Sequence, residues 1–119
     1  MADEAKLIQN FIDSSDAIIL LKDEQGRFLM VNRRKAEIHK LSKEEFIGKT
    51  DYDFLPKEEA DKFRAYDRKV TETGTPIIFK DTLSLPSGQI RIIGHKFPVS
   101  IEGSPNAVGS ISIDITETE

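Results

Sequence analysis

With 119 residues, 38% of them hydrophobic and 32% charged, the chain suits one folded domain with a single core beneath a well-solvated surface. Its net charge of -4 leaves no electrostatic footprint for nucleic acid, and the absence of cysteine excludes disulfides, thiolate metal sites and cysteine nucleophiles. No apolar run approaches the roughly 20 residues of a membrane span and the N-terminus lacks a signal-peptide layout, so the reading is cytoplasmic, without membrane insertion.

Residues 4–13 place Leu7, Ile8, Phe11 and Ile12 at i, i+1, i+4 and i+5, one apolar stripe on a short helix. A helix this short is marginal in water by itself, so the stripe must dock on something. Residues 17–23 and 27–32 read as two strands joined by a tight turn at Asp23-Glu24-Gln25-Gly26. Asn32 can end the second strand and cap a helix running through Ala36 and Ile38 to about Leu41. Arg33-Arg34-Lys35, the only basic triplet, lies at that helix start and reads as its solvated face.

Ser42-Lys43-Glu44-Glu45 has the form of a capping box, Leu41 and Phe46 of a hydrophobic staple, and Gly48 of a left-handed stop. These signals predict a helix of one or two turns. Asp51-Tyr52-Asp53-Phe54-Leu55 reads as another short helical turn or a structured loop. Pro56 stands at the first position of the longest helix, 56–74, with Glu58, Glu59 and Asp61 suiting one end of its dipole and Arg68 and Lys69 the other. Ala60, Phe63, Tyr66 and Val70 form its buried stripe, and Gly74 ends it. Three antiparallel strands follow, 77–85, 89–100 and 107–116, connected through Pro86-Ser87-Gly88 and Glu102-Gly103-Ser104-Pro105-Asn106. The order predicts an α+β fold, with helices on one face of an antiparallel sheet and a cavity between the two layers.

Asp23-x-x-Gly26 with Asn32, then Phe46-Ile47-Gly48-Lys49-Thr50, Leu85-Pro86-Ser87-Gly88, Lys96-Phe97-Pro98 and Asp114-Ile115-Thr116 stand in the order seen in PAS domains. The resemblance covers about residues 14–116. It implies a five-stranded antiparallel sheet of order 2-1-5-4-3, with pocket-forming helices between the second and third strands. It also implies a sensory or dimerising role for an attached output domain, a histidine kinase or a cyclic-dinucleotide enzyme of the two-component type, with no catalysis in the module. Residues 1–13 are then a flanking helix, 14–116 the domain, and 117–119 the start of an exit linker to an output domain outside this sequence.

Site expectations follow from that layout. A pocket for a small organic ligand is expected between the long helix and the sheet, lined by Phe46, Phe54, Phe63, Tyr66, Val70, Leu83, Ile92, Ser110 and Ser112. In the last strand Val108, Ser110, Ser112 and Asp114 alternate with Gly109, Ile111, Ile113 and Ile115, and the resemblance turns the first set toward the pocket. An outward isoleucine ladder needs cover, which the stripe of Leu7, Ile8, Phe11 and Ile12 can supply from its own chain or a partner's. A homodimer with Leu7, Ile8, Phe11, Ile12, Ile111 and Ile113 at its interface is therefore expected. Asp114 and Thr116 mark the signal exit, with Arg91 as the expected partner of Asp114 and Lys96 as the second candidate.

A flavin–cysteine adduct is excluded because there is no cysteine. Haem is disfavoured because the long helix holds no histidine; His39 reads instead as a polar residue on a helix edge, and His95 as a hydrogen-bonding strand residue. No cofactor is expected, and two histidines without a clear third ligand make no metal site. The competing class is a small pocket enzyme using Asp81 or His95, on adjacent predicted strands, as general acid or base.

Overall fold

The computed structural model describes residues 3–118. Helix α1 (Glu4–Asp13) is capped by Asp3, whose carboxylate accepts from the Ala5 and Lys6 amides. Strands β1 (Ile18–Lys22) and β2 (Phe28–Val31) form the opening hairpin. Its turn is closed by Asp23, which accepts hydrogen bonds from the Gln25 and Arg27 amides and from Arg27 Nε at 2.9, 2.9 and 2.7 Å. Gly26 takes the left-handed conformation this turn requires, at φ +84°.

Asn32 caps α2 (Arg33–His39) and does more. Its fully buried amide accepts from the Ile19 and Lys35 amides, both at 3.1 Å, and donates to the Ile12 and Ala17 carbonyls at 2.8 and 2.9 Å. One side chain thus joins α1, β1 and α2. The Ser42 capping box forms, but over a single 3₁₀ turn, Lys43–Glu45. A second box, Thr50 with Asp53, opens another 3₁₀ turn at Asp51–Asp53. The long helix α3 (Lys57–Thr73) starts one residue later than expected: Pro56 has extended ψ and caps it from outside. Gly74 ends α3 in the left-handed region.

Strands β3 (Ile77–Leu85), β4 (Gly88–Ile101) and β5 (Ser104–Asp114) complete one antiparallel sheet of order β2-β1-β5-β4-β3. Both late connections are two-residue turns, Leu85 pairing with Gly88 and Ile101 with Ser104. The second is tighter than the expected loop because Gly103 adopts φ +82°, which lets β5 begin at Ser104 rather than at 107. Pro98 and Pro105 lie on β4 and β5 beyond the last rungs shared with β3 and β1, so neither breaks a ladder. A last 3₁₀ turn, Thr116–Thr118, follows β5.

The core divides in two. Ile18, Leu55, Ala60, Phe63, Phe79, Leu83 and Ile92 pack between α3 and the sheet. Leu20, Phe28, Val31, Ala36 and Phe46 pack beneath α2 and the first 3₁₀ turn, with Phe54 against both groups. On the sheet's other face Ile78 is 74% and Ile113 51% exposed. Helix α1 does not cover them. It is anchored instead through buried Ile12, a Gln9 hydrogen bond to the Val31 carbonyl and a Lys43–Asp13 ion pair, which leave Leu7, Ile8 and Phe11 exposed. Of the two covers expected for the isoleucine ladder, its own chain's stripe does not supply one: α1 is anchored at Val31 and Lys43, and Ile12, expected at the interface, is buried within the chain.

Asn32→Ala leaves two amides and two carbonyls without their buried partner and is expected to lower unfolding free energy by about 2–4 kcal/mol. Asn32→Asp keeps the acceptor but sets a buried carboxylate oxygen against the Ile12 and Ala17 carbonyls, so it should cost at least as much as Asn32→Ala. Urea unfolding of the three proteins measures the order.

Candidate functional site

Behind Phe63 the sheet's inner face is not apolar. Strand alternation turns Ile18, Leu20 and Lys22 of β1 inward together with Ile92 and Lys96 of β4 and Ser110 and Ser112 of β5. Lys22 is only 1% exposed and forms ion pairs to Asp51 at 2.5 Å and to Asp67 at 2.9 Å. Asp67, on α3 and equally buried, reaches Lys96 Nζ at 3.0 Å through its other oxygen, though without hydrogen-bond alignment. A continuous run of charge, Asp51–Lys22–Asp67–Lys96, therefore crosses the core from the second 3₁₀ turn to β4.

Lys35 closes the group from α2. Contrary to the solvated reading of its triplet, it is 4% exposed. Its ammonium lies 5.7 and 5.8 Å from the ring centroids of Phe28 and Phe46 and donates to His39 Nε2 at 2.9 Å. An ammonium can only donate, so this contact places the His39 proton on Nδ1. His39 is itself buried against Phe46 and Phe54 rather than on a helix edge. Burial and the nearby Lys35 charge push its pKa down to about 3, which keeps it neutral.

The electrostatics follow from burial opposed by pairing. Burial would lower the Lys22 ammonium, but Asp51 and Asp67 pull it above its ordinary value. Burial would raise the Asp67 carboxyl, but Lys22 and Lys96 hold it below the usual range. Lys96 is lowered, by burial and by Lys22, because Asp67 and Asp51 together do not offset them. Lys35 is pushed down to about 8 by burial, with Lys22 and Lys96 adding to the fall against Asp51 and Glu59.

These groups enclose a cavity of about 30 Å³ between α3 and the sheet. Of the residues expected at a pocket, Phe63, Leu83, Ile92, Ser110 and Ser112 line it. Phe46 and Phe54 instead stack on one another, at 4.5 Å between centroids, within the second core group. Tyr66 packs on Phe79 and donates to Asp81 at 2.8 Å, and Val70 is fully buried away from the cavity. The cavity is more charged than expected. Lys22, Lys35, Asp51 and Lys96 line it, and strand alternation could have pointed to Lys22 and Lys96 in the sequence.

The remaining site expectations are resolved by register. His95 lies on the outer face, stacked with Phe97 at 5.0 Å and grouped with Ile78, Ile93, Ile111 and Ile113. Asp81 lies on the inner side, held by Tyr66 and 3.7 Å from Lys62. The sheet separates the two, so they form no acid–base pair. At the exit, Asp114 accepts from the Thr116 amide and hydroxyl, and those bonds hold its pKa below the usual carboxylate value. Among the described residues Asp114 forms no ion pair with Arg91 or Lys96: Lys96 is engaged by Asp67, and the Arg91 guanidinium donates to Thr82 Oγ1 at 3.2 Å while its backbone joins the exit. The Arg91 amide donates to Thr116 Oγ1 at 2.9 Å, and its carbonyl accepts from the Ile115 amide at 2.8 Å.

A sequence profile described as the PAS fold matches residues 12–119. The chain belongs to this family. It is a PAS sensory domain of the kind found in signalling proteins. An uncharacterized protein y4lL of Sinorhizobium fredii is 32% identical over 103 residues, 83% of this chain and 12% of that protein. A diguanylate cyclase of Vibrio cholerae is 23% identical over 103 residues, 83% of this chain and 32% of the enzyme. The PAS domain thus spans under a third of one relative and about an eighth of the other. Among solved structures, VqmA in complex with a ligand and DNA superposes with TM-score 0.80 at 25% identity, over 93% of this chain and 50% of VqmA. A Vibrio cholerae VqmA dimer superposes with TM-score 0.80 at 27% identity, over 96% and 52% of the two chains. No helix among the described residues is long and apolar enough to cross a membrane.

Lys35→Met should stabilise the PAS domain. The native-state pKa of Lys35, about 8, lies below the ordinary 10.5, so its charge weakens folding at pH 7 and the penalty lifts as pH rises from 8 to 10.5. The expected gain at pH 7 is on the order of 3 kcal/mol. Urea unfolding at pH 7 to 10 should show stability of the native chain climbing toward that of the variant. Parallel profiles would contradict this account.

Proposed function

We propose that this PAS domain senses a small organic ligand in the cavity between α3 and the sheet and passes its occupancy to an output domain beyond Thr116. The observation that carries the reading is the cavity itself, enclosed by the apolar core on one side and by buried lysines and serines on the other. The output is a histidine kinase or a cyclic-dinucleotide enzyme, supported by the diguanylate cyclase relative, which carries a matching segment within a longer chain. Ligand binding and dimerisation are supported by VqmA, whose structures are those of a ligand-bound complex and a dimer. The domain binds neither flavin nor haem, performs no catalysis of its own, contacts no nucleic acid and works in the cytoplasm.

The functional unit is a homodimer. Leu7, Ile8 and Phe11 of α1 and Ile78 and Ile113 of the sheet are two exposed apolar surfaces on one chain, and each suits the other on a second copy. Each large side chain so covered contributes roughly 1.5–3 kcal/mol. A second reading, an interaction module without a ligand, is favoured by the small cavity volume.

Native mass spectrometry of freshly purified protein separates the two readings. A stoichiometric small-molecule adduct is expected, with no visible absorption band; a bare mass under every preparation favours the interaction module. The solution mass of the intact chain at micromolar concentration should be that of a dimer, and deletion of residues 1–13 should shift it toward the monomer. Equal dimerisation of both would remove α1 from the interface.

A further inference from the structure

We propose that the cavity ligand is an aliphatic organic acid bound as its monoanion, its carboxylate seated between Lys35 and Lys96 and its carbon chain entering along Leu55, Phe63 and Phe79 as α3 parts from the sheet. This rests on the ligand-sensing reading and names the chemistry of that site. The first observation is a count of charges. Lys22, Lys35 and Lys96 are all under 5% exposed, and they face two buried carboxylates, Asp51 and Asp67, while His39 is neutral. One buried positive charge has no counter-ion. Isolated buried charge is costly, so proteins pair such groups or bring them an anion.

Geometry identifies the unmatched group. Both carboxylates are engaged by Lys22, and Asp67 is shared with Lys96. Among the described residues Lys35 makes no ion pair: its hydrogen-bond partner is the neutral ring of His39, its ammonium faces the rings of Phe28 and Phe46, and Asp51 and Glu59 act on it only from beyond ion-pair distance. Lys96 Nζ likewise faces the rings of Phe79 and Phe63, at 5.3 and 5.9 Å, and its contact with Asp67 lacks hydrogen-bond alignment. Two ammonium groups with spare donors thus line one cavity, and Ser110 and Ser112 line it too. A carboxylate has the acceptors to take both.

The apolar wall sets the rest of the ligand. Leu55, Phe63, Phe79 and Leu83 also line the cavity, which suits a hydrocarbon chain rather than a polar acid such as a sugar phosphate. At about 30 Å³ the cavity has room for roughly one or two waters, so it admits a head group only. A longer chain must part α3 from the sheet. That displacement makes occupancy visible to the rest of the domain, and neutralising Lys35 supplies part of its cost.

The test uses the whole chain with butyrate, hexanoate and octanoate, each beside its primary amide, an uncharged analogue of the same shape. Titration calorimetry and amide NMR shifts at Ser110 and Ser112 report binding at the cavity. The acids should bind saturably, with the longest tightest, and the amides about ten- to a hundredfold more weakly. Affinity for the acids should fall as pH rises through 8, where Lys35 loses its proton among Lys22, Lys96, Asp51, Glu59 and His39. Lys35→Met should bind acids no better than amides while unfolding at higher denaturant than the native chain, a combination that mere loss of structure cannot produce. Amides binding at the cavity as tightly as acids would overturn the anion while leaving the sensory pocket standing. Binding of neither series, or shifts confined to other surfaces, would overturn the aliphatic acid, and the sensory pocket falls with it only if native mass spectrometry also shows a bare mass.

Discussion

Much of this domain is organised around Lys22. It sits where a core strand would ordinarily place an aliphatic residue, and its ammonium cannot remain there unpaired. Asp51 and Asp67 meet it from two separate elements, the 3₁₀ turn before α3 and the middle of α3 itself. Apolar contact alone would tolerate α3 at several rotations about its axis. The ion pairs tolerate far fewer, because a slip of one residue would carry Asp67 about 100° around the helix and strand both Lys22 and Lys96. The buried charges thus act chiefly on position. They hold helix to sheet at a defined register and hold a polar cavity open within an apolar core.

Asn32 plays the matching role at the other layer. It ends β2, caps α2 and ties both to α1 and β1, so the flanking helix, the hairpin and the helix bearing Lys35 meet at one amide. Lys35 donates its own backbone N–H to that amide while its side chain reaches the cavity. A change in the Lys35 environment is therefore two bonds of connectivity from α1. At the opposite end the Arg91 backbone fastens Ile115 and Thr116 to β4, one residue from Ile92, which lines the cavity. Both chain ends are thus held by groups adjacent to cavity residues, which suits a domain that must couple occupancy to neighbours in sequence.

The fold was legible in the sequence because its punctuation is local. Asp23 with Gly26, Asn32, Ser42 with Glu45, and Gly74 all act within a few residues of themselves, and each did what its type predicts. Alternation puts the serines of β5 on one face, and the PAS resemblance turns that face to the cavity. The charged cavity was not read, for a physical reason: Lys22, Asp51, Asp67 and Lys96 lie 16 to 74 positions apart, and only the closed sheet brings them together. Lys35 was misread because a basic triplet normally faces water, and the burial of its third member depends on the packing of Phe28 and Phe46. Phe46 and Phe54 were assigned to the pocket since aromatic residues beside a pocket helix suit a lining; they prefer each other's rings. The loop before β5 was drawn too long because Ser104, Pro105 and Asn106 look like turn residues, yet Gly103 alone supplies the turn.

Taken together, the two faces of the sheet each depart in part from the usual pattern. An antiparallel sheet in a small domain commonly turns apolar residues inward and polar ones to water. Here Lys22, Lys96, Ser110 and Ser112 face in, while Ile78, Ile93, Ile111 and Ile113 gather on the outer face. Neither arrangement favours the isolated chain. The buried cations cost desolvation, and the outer isoleucines leave apolar area in water. Local violations of this kind persist where something outside the chain relieves them. The proposed anion would relieve the inner face and the proposed second copy the outer one, and β4 and β5 contribute to both faces. Relief on one side can therefore alter the other without a long relay, because successive residues of the same strand carry the two surfaces: Ser110 and Ser112 point into the cavity, and Ile111, between them, points to the outer face.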